Sequence, residues 1–322
     1  MKNKIQNTAK LLSLIIMPWI WFCARFCPSL LRATLLASRA FLNPQFSSYL
    51  LEEPLLKIGA RGMNSIHPRS LTCSDHVPLQ ISLDLNDTIQ RSFYLRGFPD
   101  FTSELLRFCD SSTCFFDIGA NVGLISCAVS RYVAPKQIYA FEPVPANFEA
   151  LRRNLTTNCP GATPHAIALS DKEGAFEMVA CSHDSGAASL ETQYRIDRLT
   201  ELGYPTTLVR VGVLTISFSQ YIVKQSIDFS RLKKVAFKID VEGHELAVLN
   251  GMKLFLDAYN YLEILIVIEV HNLNFESVNQ FLSDNAFGLV WPNAEAISAF
   301  HQSSSKAIDL IFRRHPKIDI AS

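Results

Sequence analysis

Residues 115–123 read FFDIGANVG. Two aromatics and an acid run into a glycine, and a second glycine follows four residues later. An apolar run that ends at Asp117 and breaks at Gly119 reads as a buried strand giving way to a turn, with the apolar residues 122–132 as the helix beyond it. Gly119 and Gly123 allow a tight turn and a close approach of main chain to a ligand. A helix that starts near Val122 offers free N–H groups and its positive end to an anionic or electron-rich group.

The same alternation continues outward from this stretch. QIYAFE (137–142) is the next strand, NFEALRRNL (147–155) a helix with Phe148, Leu151 and Leu155 on one face, and PHAIALS (164–170) a third strand before the turn DKEG. A helix over 217–226 leads to the strand VAFKID (235–240). Val248, Leu249, Met252, Phe255 and Leu256 stripe the following helix, and LEILIVIEV (262–270) is a fifth, strongly buried strand. FGLVW (287–291) and AIDLIFRR (307–314) close the series. Apolar strands alternating with amphipathic helices predict an α/β fold with a mostly parallel sheet covered on both faces. Four segments are expected: a helical extension over 1–65, lead-in strands and a helix over 66–112, beginning with the alternating LQISLDL (79–85), the α/β domain over 113–316, and a tail over 317–322.

Ligands bind such sheets at the carboxyl ends of the strands. The polar residues sit there: Asp117–Gly123, Glu142, Ser170–Asp171, Asp240–Gly243 and Glu269–His271. Glu142, about 20 residues after the glycine turn, suits the two hydroxyls of a ribose. That much fits NAD and S-adenosylmethionine equally. Three details favour the second. The turn is GxxxG and lacks the GxGxxG that cradles a pyrophosphate. Asp117 would sit badly beside a pyrophosphate but well near an ammonium and a sulfonium. Asp171 could accept a bond from an adenine amino group, or serve as an ordinary turn acid.

DIGANVG, AFEPVPANFEALRRNL, ALSD, KIDVEGHELAVLNGM and IVIEV, in that order over about residues 87–313, resemble the FkbM-type methyltransferase family. The resemblance implies the class I methyltransferase fold, a Rossmann-like seven-stranded sheet whose last strand, here AIDLIFRR, is antiparallel. It also implies methyl transfer from S-adenosylmethionine, often to a hydroxyl of a sugar, glycan, lipid or polyketide-like acceptor. Carried over, Asp117, Gly119 and Gly123 would line the methionyl side, with Asn121 of the same turn contacting the cofactor. Glu142 would hold the ribose, and Ser170 and Asp171 would lie near adenine. GAASLE (186–191) resembles the family's glycine-serine segment, with Gly186 and Ser189 as contacts in a flexible lid. Where many members show a Leu-Asp pair before the fourth strand, this chain has Ile216-Ser217.

Methyl transfer to a hydroxyl is helped by a base that takes its proton. Asp240, Glu242 and His271 are the catalytic candidates. Both acids can face a cleft only if the chain turns between them, which Gly243 permits. A base at His271 or His244 would titrate near neutrality, although His244 also fits an exposed first-turn residue. Lys238 would neutralise the acids or form a structural ion pair. A metal held by Asp240, Glu269 and His271 is chemically conceivable, but no metal is assigned. His183 and Asp184 read as an exposed loop.

Composition bounds the partners. Lys plus Arg and Asp plus Glu are 30 each, which argues against a nucleic-acid surface, and 48% hydrophobic residues predict a sizeable core. Eight cysteines without a CxxC pair suggest a reducing, cytoplasmic setting. Within residues 11–42, Arg25, Arg32 and Arg39 recur at heptad intervals among Leu and Phe, a pattern suited to a helix lying on a membrane surface; a secretory signal and an ordinary packed helix are the other readings. The alternatives are a nicotinamide-dependent oxidoreductase and a membrane-tethered binding protein without activity. A small-molecule or glycan acceptor is the expected partner.

Overall fold

The structure is a computed structural model and describes residues 66–72, 78–84, 87–181, 184–191, 208–302 and 307–316, together with Thr34. The membrane-surface pattern of 11–42 and His183 lie outside these residues. Among the described residues no helix is long and apolar enough to cross a membrane.

The chain divides into two compact units, the first reaching to Phe98 and taking in Asp184 and Ser185, the second made of the remainder from Pro99 onward. In the first, β1 (Ile66–Thr72) pairs antiparallel with β2 (Pro78–Leu83). Leu79, Ile81 and Leu83 of β2 are buried, as their alternation predicts. Asp87 caps α1 (Thr88–Arg96) by accepting from the Gln90 N–H at 2.9 Å.

The second unit begins with α2 (Phe101–Phe108) and then alternates. Its elements are β3 (Thr113–Ile118), α3 (Leu124–Val129), β4 (Ile138–Phe141), α4 (Pro145–Asn158), β5 (Thr163–His165), β6 (Ala168–Ser170), β7 (Gly174–Cys181), β8 (Asp184–Ser189), β9 (Leu208–Ser217), α5 (Phe218–Lys224), β10 (Lys234–Ile239), α6 (Glu245–Ala258), β11 (Glu263–His271), α7 (Phe275–Asp284), β12 (Gly288–Trp291), α8 (Ala294–Gln302) and β13 (Ala307–Arg314). Seven strands form the main sheet in the order β12-β13-β11-β10-β3-β4-β5. β11, β10, β3, β4 and β5 pair in parallel, and β13 runs antiparallel to both its neighbours. This is the class I methyltransferase sheet, with AIDLIFRR as its reversed strand.

Its centre reads as continuous apolar runs because the strands are buried on both faces. All six residues of β3 are buried. The Phe116 ring stacks against Tyr139 and Phe237 from the adjacent strands, with centroids 5.0 and 5.3 Å away, and meets Phe218 edge-on. Val248, Leu249, Met252, Phe255 and Leu256 of α6 are all buried in the same core.

Two expectations need correction. PHAIALS is not one strand. It divides into β5, at the edge of the main sheet, and β6, which pairs in parallel with β9 in a second sheet of order β6-β9-β7-β8. Residues 174–216, where no strands were expected, supply the other three strands of that sheet. Its β9 leaves Val209 and Leu214 46% and 60% exposed, which blurs the alternation that would have revealed a half-buried strand.

A glycine locks α6 onto the second sheet. A Cβ on Gly251 would lie 2.0 Å from the Ser170 carbonyl oxygen at the end of β6. Gly251→Ala should therefore destabilise the protein by about 1–3 kcal/mol through overpacking, read as a lower urea midpoint. An unchanged midpoint would show that helix and strand separate freely.

Candidate active site

The candidate residues converge on the carboxyl ends of β3, β4, β10 and β11. Asp117 on β3 and Lys238 on β10 are register partners, so their side chains share a face. The Lys238 ammonium donates to the Gly119 carbonyl at 2.6 Å and lies 3.1 Å from Asp240 Oδ2 and 3.8 Å from Asp117 Oδ1. Burial works against its charge, but Asp240 and Asp117 hold its pKa above the ordinary value. Asp117 lies beneath the glycine turn, 1% exposed, and accepts from Ser126 Oγ at 2.6 Å. Burial raises its pKa, and Lys238 pulls it back.

The glycine turn is fixed from the β4 side. Gly119 and Ala120 both donate backbone N–H bonds to the Phe141 carbonyl, at 3.0 and 2.9 Å. Asn121 takes a left-handed conformation, φ 51°, and its N–H donates to Glu142 Oε2 at 2.9 Å. Glu142 Oε1 accepts from the Val144 N–H, also at 2.9 Å. Burial pushes Glu142 up to about 7, and those two N–H bonds pull the other way. The glycines serve the protein's own packing. Gly119 has φ +77°, and a Cβ there would sit 1.9 Å from the Asp240 carbonyl oxygen. One on Gly123 would meet Leu151 Cδ1 at 2.6 Å.

After β10 the chain turns as the sequence requires, but two residues share the turn. Glu242 (φ 55°) and Gly243 (φ 104°) are both left-handed. Glu245 Oε1 accepts from the Gly243 N–H at 2.7 Å, Asn274 Nδ2 donates to the Gly243 carbonyl at 2.6 Å, and Ser189 Oγ donates to the Glu242 carbonyl at 2.6 Å. Ser189 lies at the end of β8 and is fully buried, so the expected lid residue is a strut beneath the acid turn.

Glu242 Oε2 and Glu269 Oε1 lie 3.4 and 3.5 Å from His271 Nε2. Burial lowers the pKa of His271, but the two carboxylates outweigh it and push the pKa up to about 11. That direction runs opposite to a base poised near neutrality. Glu269, which faces Asp309 across the β11–β13 ladder, is pushed up to about 8 by burial and by Asp240.

His244 is another correction. Its ring is not an exposed first-turn group. Nε2 lies 2.8 Å from Ser170 Oγ and Nδ1 lies 2.8 Å from Glu191 Oε1. A ring that donates from Nδ1 to Glu191 accepts from Ser170. Asp184, expected in an exposed loop, is buried in β8. Ser217 caps α5 with Gln220 in a reciprocal box. A cavity of about 330 Å³ is lined by Asp171, Glu191, His244, His271 and Asn274, among others. It joins an adenine-side candidate, Asp171, to a catalytic candidate, His271. Sequence reasoning missed Ser126, Asn274 and Asp309, which carry no motif and are placed only by strand pairing and helix docking.

The residues around the glycine turn fit S-adenosylmethionine. Asn121 Oδ1 is buried without a hydrogen-bond partner, on the residue whose N–H meets Glu142. The donor set is acidic, as a group carrying a sulfonium, an ammonium and two ribose hydroxyls requires.

The family model described as the methyltransferase FkbM domain matches residues 117–289, more than half of the chain. The hexuronic acid methyltransferase AglP of Haloferax volcanii is 27% identical over 192 residues, covering 59% of this chain and 70% of that protein. Methyltransferase 1 of Beauveria bassiana is 28% identical over 142 residues, covering 42% of this chain and 57% of its own length. Thus the chain spans more than two thirds of the first relative and less than two thirds of the second. Among solved structures, M. jannaschii TYW2 in complex with AdoMet matches at 10% identity and a TM-score of 0.34, covering 79% of this chain and 88% of that one.

Removing the central cation should expose the cost of the acids it holds. Lys238→Ala should destabilise the protein by about 3 kcal/mol at neutral pH. Asp117 already has a raised folded pKa, so its contribution favours folding in acid and is lost as pH rises. Without Lys238 that pKa rises further. The deficit should therefore be smaller at about pH 5 than at about pH 8. Urea unfolding at the two values checks this, and a pH-independent deficit would sink it.

Proposed function

Because the chain belongs to the FkbM methyltransferase family and is an S-adenosylmethionine-dependent methyltransferase, we propose that it methylates a hydroxyl group on a sugar or another small, polar acceptor. The observation that carries this is the shared anchor at Lys238, which bonds the Gly119 carbonyl of the cofactor turn and pairs with Asp240. One group thereby fixes the distance between donor turn and acidic edge. The hexuronic acid specificity named for the Haloferax relative supports a sugar-type acceptor. The neutral overall charge supports a partner other than nucleic acid.

In this proposal Glu142 accepts from the ribose hydroxyls, the Gly119–Gly123 turn with Asn121 receives the methionyl end, and Ser170 and Asp171 border adenine. Asp117 acts from below the turn as a buried charge. When bound, S-adenosylmethionine supplies the methyl group and a sulfur leaving group, so the protein's task is alignment and handling of one proton. Asp240, 39% exposed in its side chain, takes the proton of the acceptor hydroxyl. Glu242 and His271 hold and orient the acceptor. His271, carrying its own proton between two carboxylates, is not the base at neutral pH.

Two outcomes are expected. Glu142→Ala should weaken S-adenosylhomocysteine binding by about 1–3 kcal/mol, through the loss of two hydrogen bonds. In the wild type, hydroxyls that donate to Glu142 favour its charged form, so binding should release a proton near pH 7 and strengthen as pH rises through that value. Calorimetry in buffers of different ionisation enthalpy reads this directly, and identical heats would remove the ribose role. Separately, Asp240→Asn should lower kcat by about 100-fold or more while cofactor affinity stays within twofold. Full turnover would place the base elsewhere.

A further inference from the structure

Among the described residues, one group combines imidazole and carboxylate ligand atoms at metal-binding separations. Glu242, Glu269 and His271 each offer one such atom, and all lie within 4.8 Å of one another. This differs from the set the sequence suggested, because Asp240 is drawn to Lys238 and Glu242 takes its place. The three come from two rigid sources. Glu269 and His271 are two apart on β11 and so share a face. Glu242 is aimed by its left-handed backbone, which Ser189 and Asn274 hold through the carbonyls of Glu242 and Gly243.

The surroundings also suit a cation. Asp117, Asp240, Glu242, Glu245, Glu269 and Asp309 gather at these strand ends around Lys238 and His271. Lys238 is turned toward Asp117 and Asp240, which leaves Glu242 and Glu269 facing His271. His271 is 2% exposed, yet it lines the 330 Å³ cavity together with Asn274. An ion held by these three side chains would therefore lie beside that cavity, on its His271 side.

We propose that Glu242, Glu269 and His271 form a divalent-cation site whose open face takes oxygen atoms of the acceptor. Two carboxylates and one imidazole suit Mn²⁺ or a similar ion of intermediate hardness. The ion replaces the proton on His271 and the proton that Glu269 carries at neutral pH, and both leave to solvent. A hydroxyl oxygen bound to the cation is acidified, and its proton passes to Asp240, two residues before Glu242. The site rests on the side-chain geometry alone. Its use to hold the acceptor rests on the hydroxyl-methylation proposal above.

The test is a Mn²⁺ titration of the full chain, followed by the loss of the free-ion electron paramagnetic resonance signal, with S-adenosylhomocysteine binding measured by calorimetry on the same samples. The wild type should bind one Mn²⁺. Glu242→Gln and Glu269→Gln, which keep shape and remove charge, should each weaken that binding at least tenfold while cofactor affinity stays within twofold, which also shows that both variants fold. No binding by the wild type, or wild-type affinity in either variant, overturns the site. A protein that binds Mn²⁺ in this pattern but not S-adenosylhomocysteine keeps the site and overturns the hydroxyl-methylation proposal instead.

Discussion

The geometry of this protein's strand ends depends on a buried ammonium. Lys238 stands on β10, where an α/β sheet of this type is most apolar, with its charge placed among the carboxylates of Asp117 and Asp240 and the carbonyl of Gly119. A buried cation of this kind is tolerable only when paired and hydrogen-bonded. The same pairing makes it a ruler. The glycine turn, the strand beneath it and the acid turn after β10 are fixed relative to one nitrogen atom.

Around that origin the protein concentrates negative charge and then limits it. Glu142, Glu269 and Asp309 are pushed to about 7, 8 and 7, respectively. Burial is the first cause in each. The charge on such desolvated groups is set by the charges and hydrogen-bond donors placed beside them.

Much of this was legible in the sequence, for a physical reason. β3, β10 and β11 are buried on both faces, so they read as unbroken apolar runs, and their terminal acids stand out against that background. The turn at Glu242–Gly243 was legible because two acids two residues apart need a bend to share a cleft. The second sheet was not. Its strands are partly exposed, and PHAIALS stays apolar while changing sheets, so composition gives no mark of the break. The partners of the site were equally hidden. Asp309 faces Glu269 only because β13 runs antiparallel beside β11, and Asn274 reaches Gly243 only because α7 begins where it does. The basicity of His271 follows from Glu242, 29 residues earlier and on another element, which no local pattern reports.

The contacts at Gly119 and Gly251 are made to backbone carbonyls, of Asp240 and Ser170, and leave no room for a side chain. At those two points the Gly119–Gly123 turn, the acid turn and the end of β6 are therefore fitted together through main chain alone. Asn250 and Leu273, which line the cavity, take no part in those two backbone contacts. Under the proposed function, a substitution at such a position would reshape the cavity while the main-chain contacts at Gly119 and Gly251 stay in place.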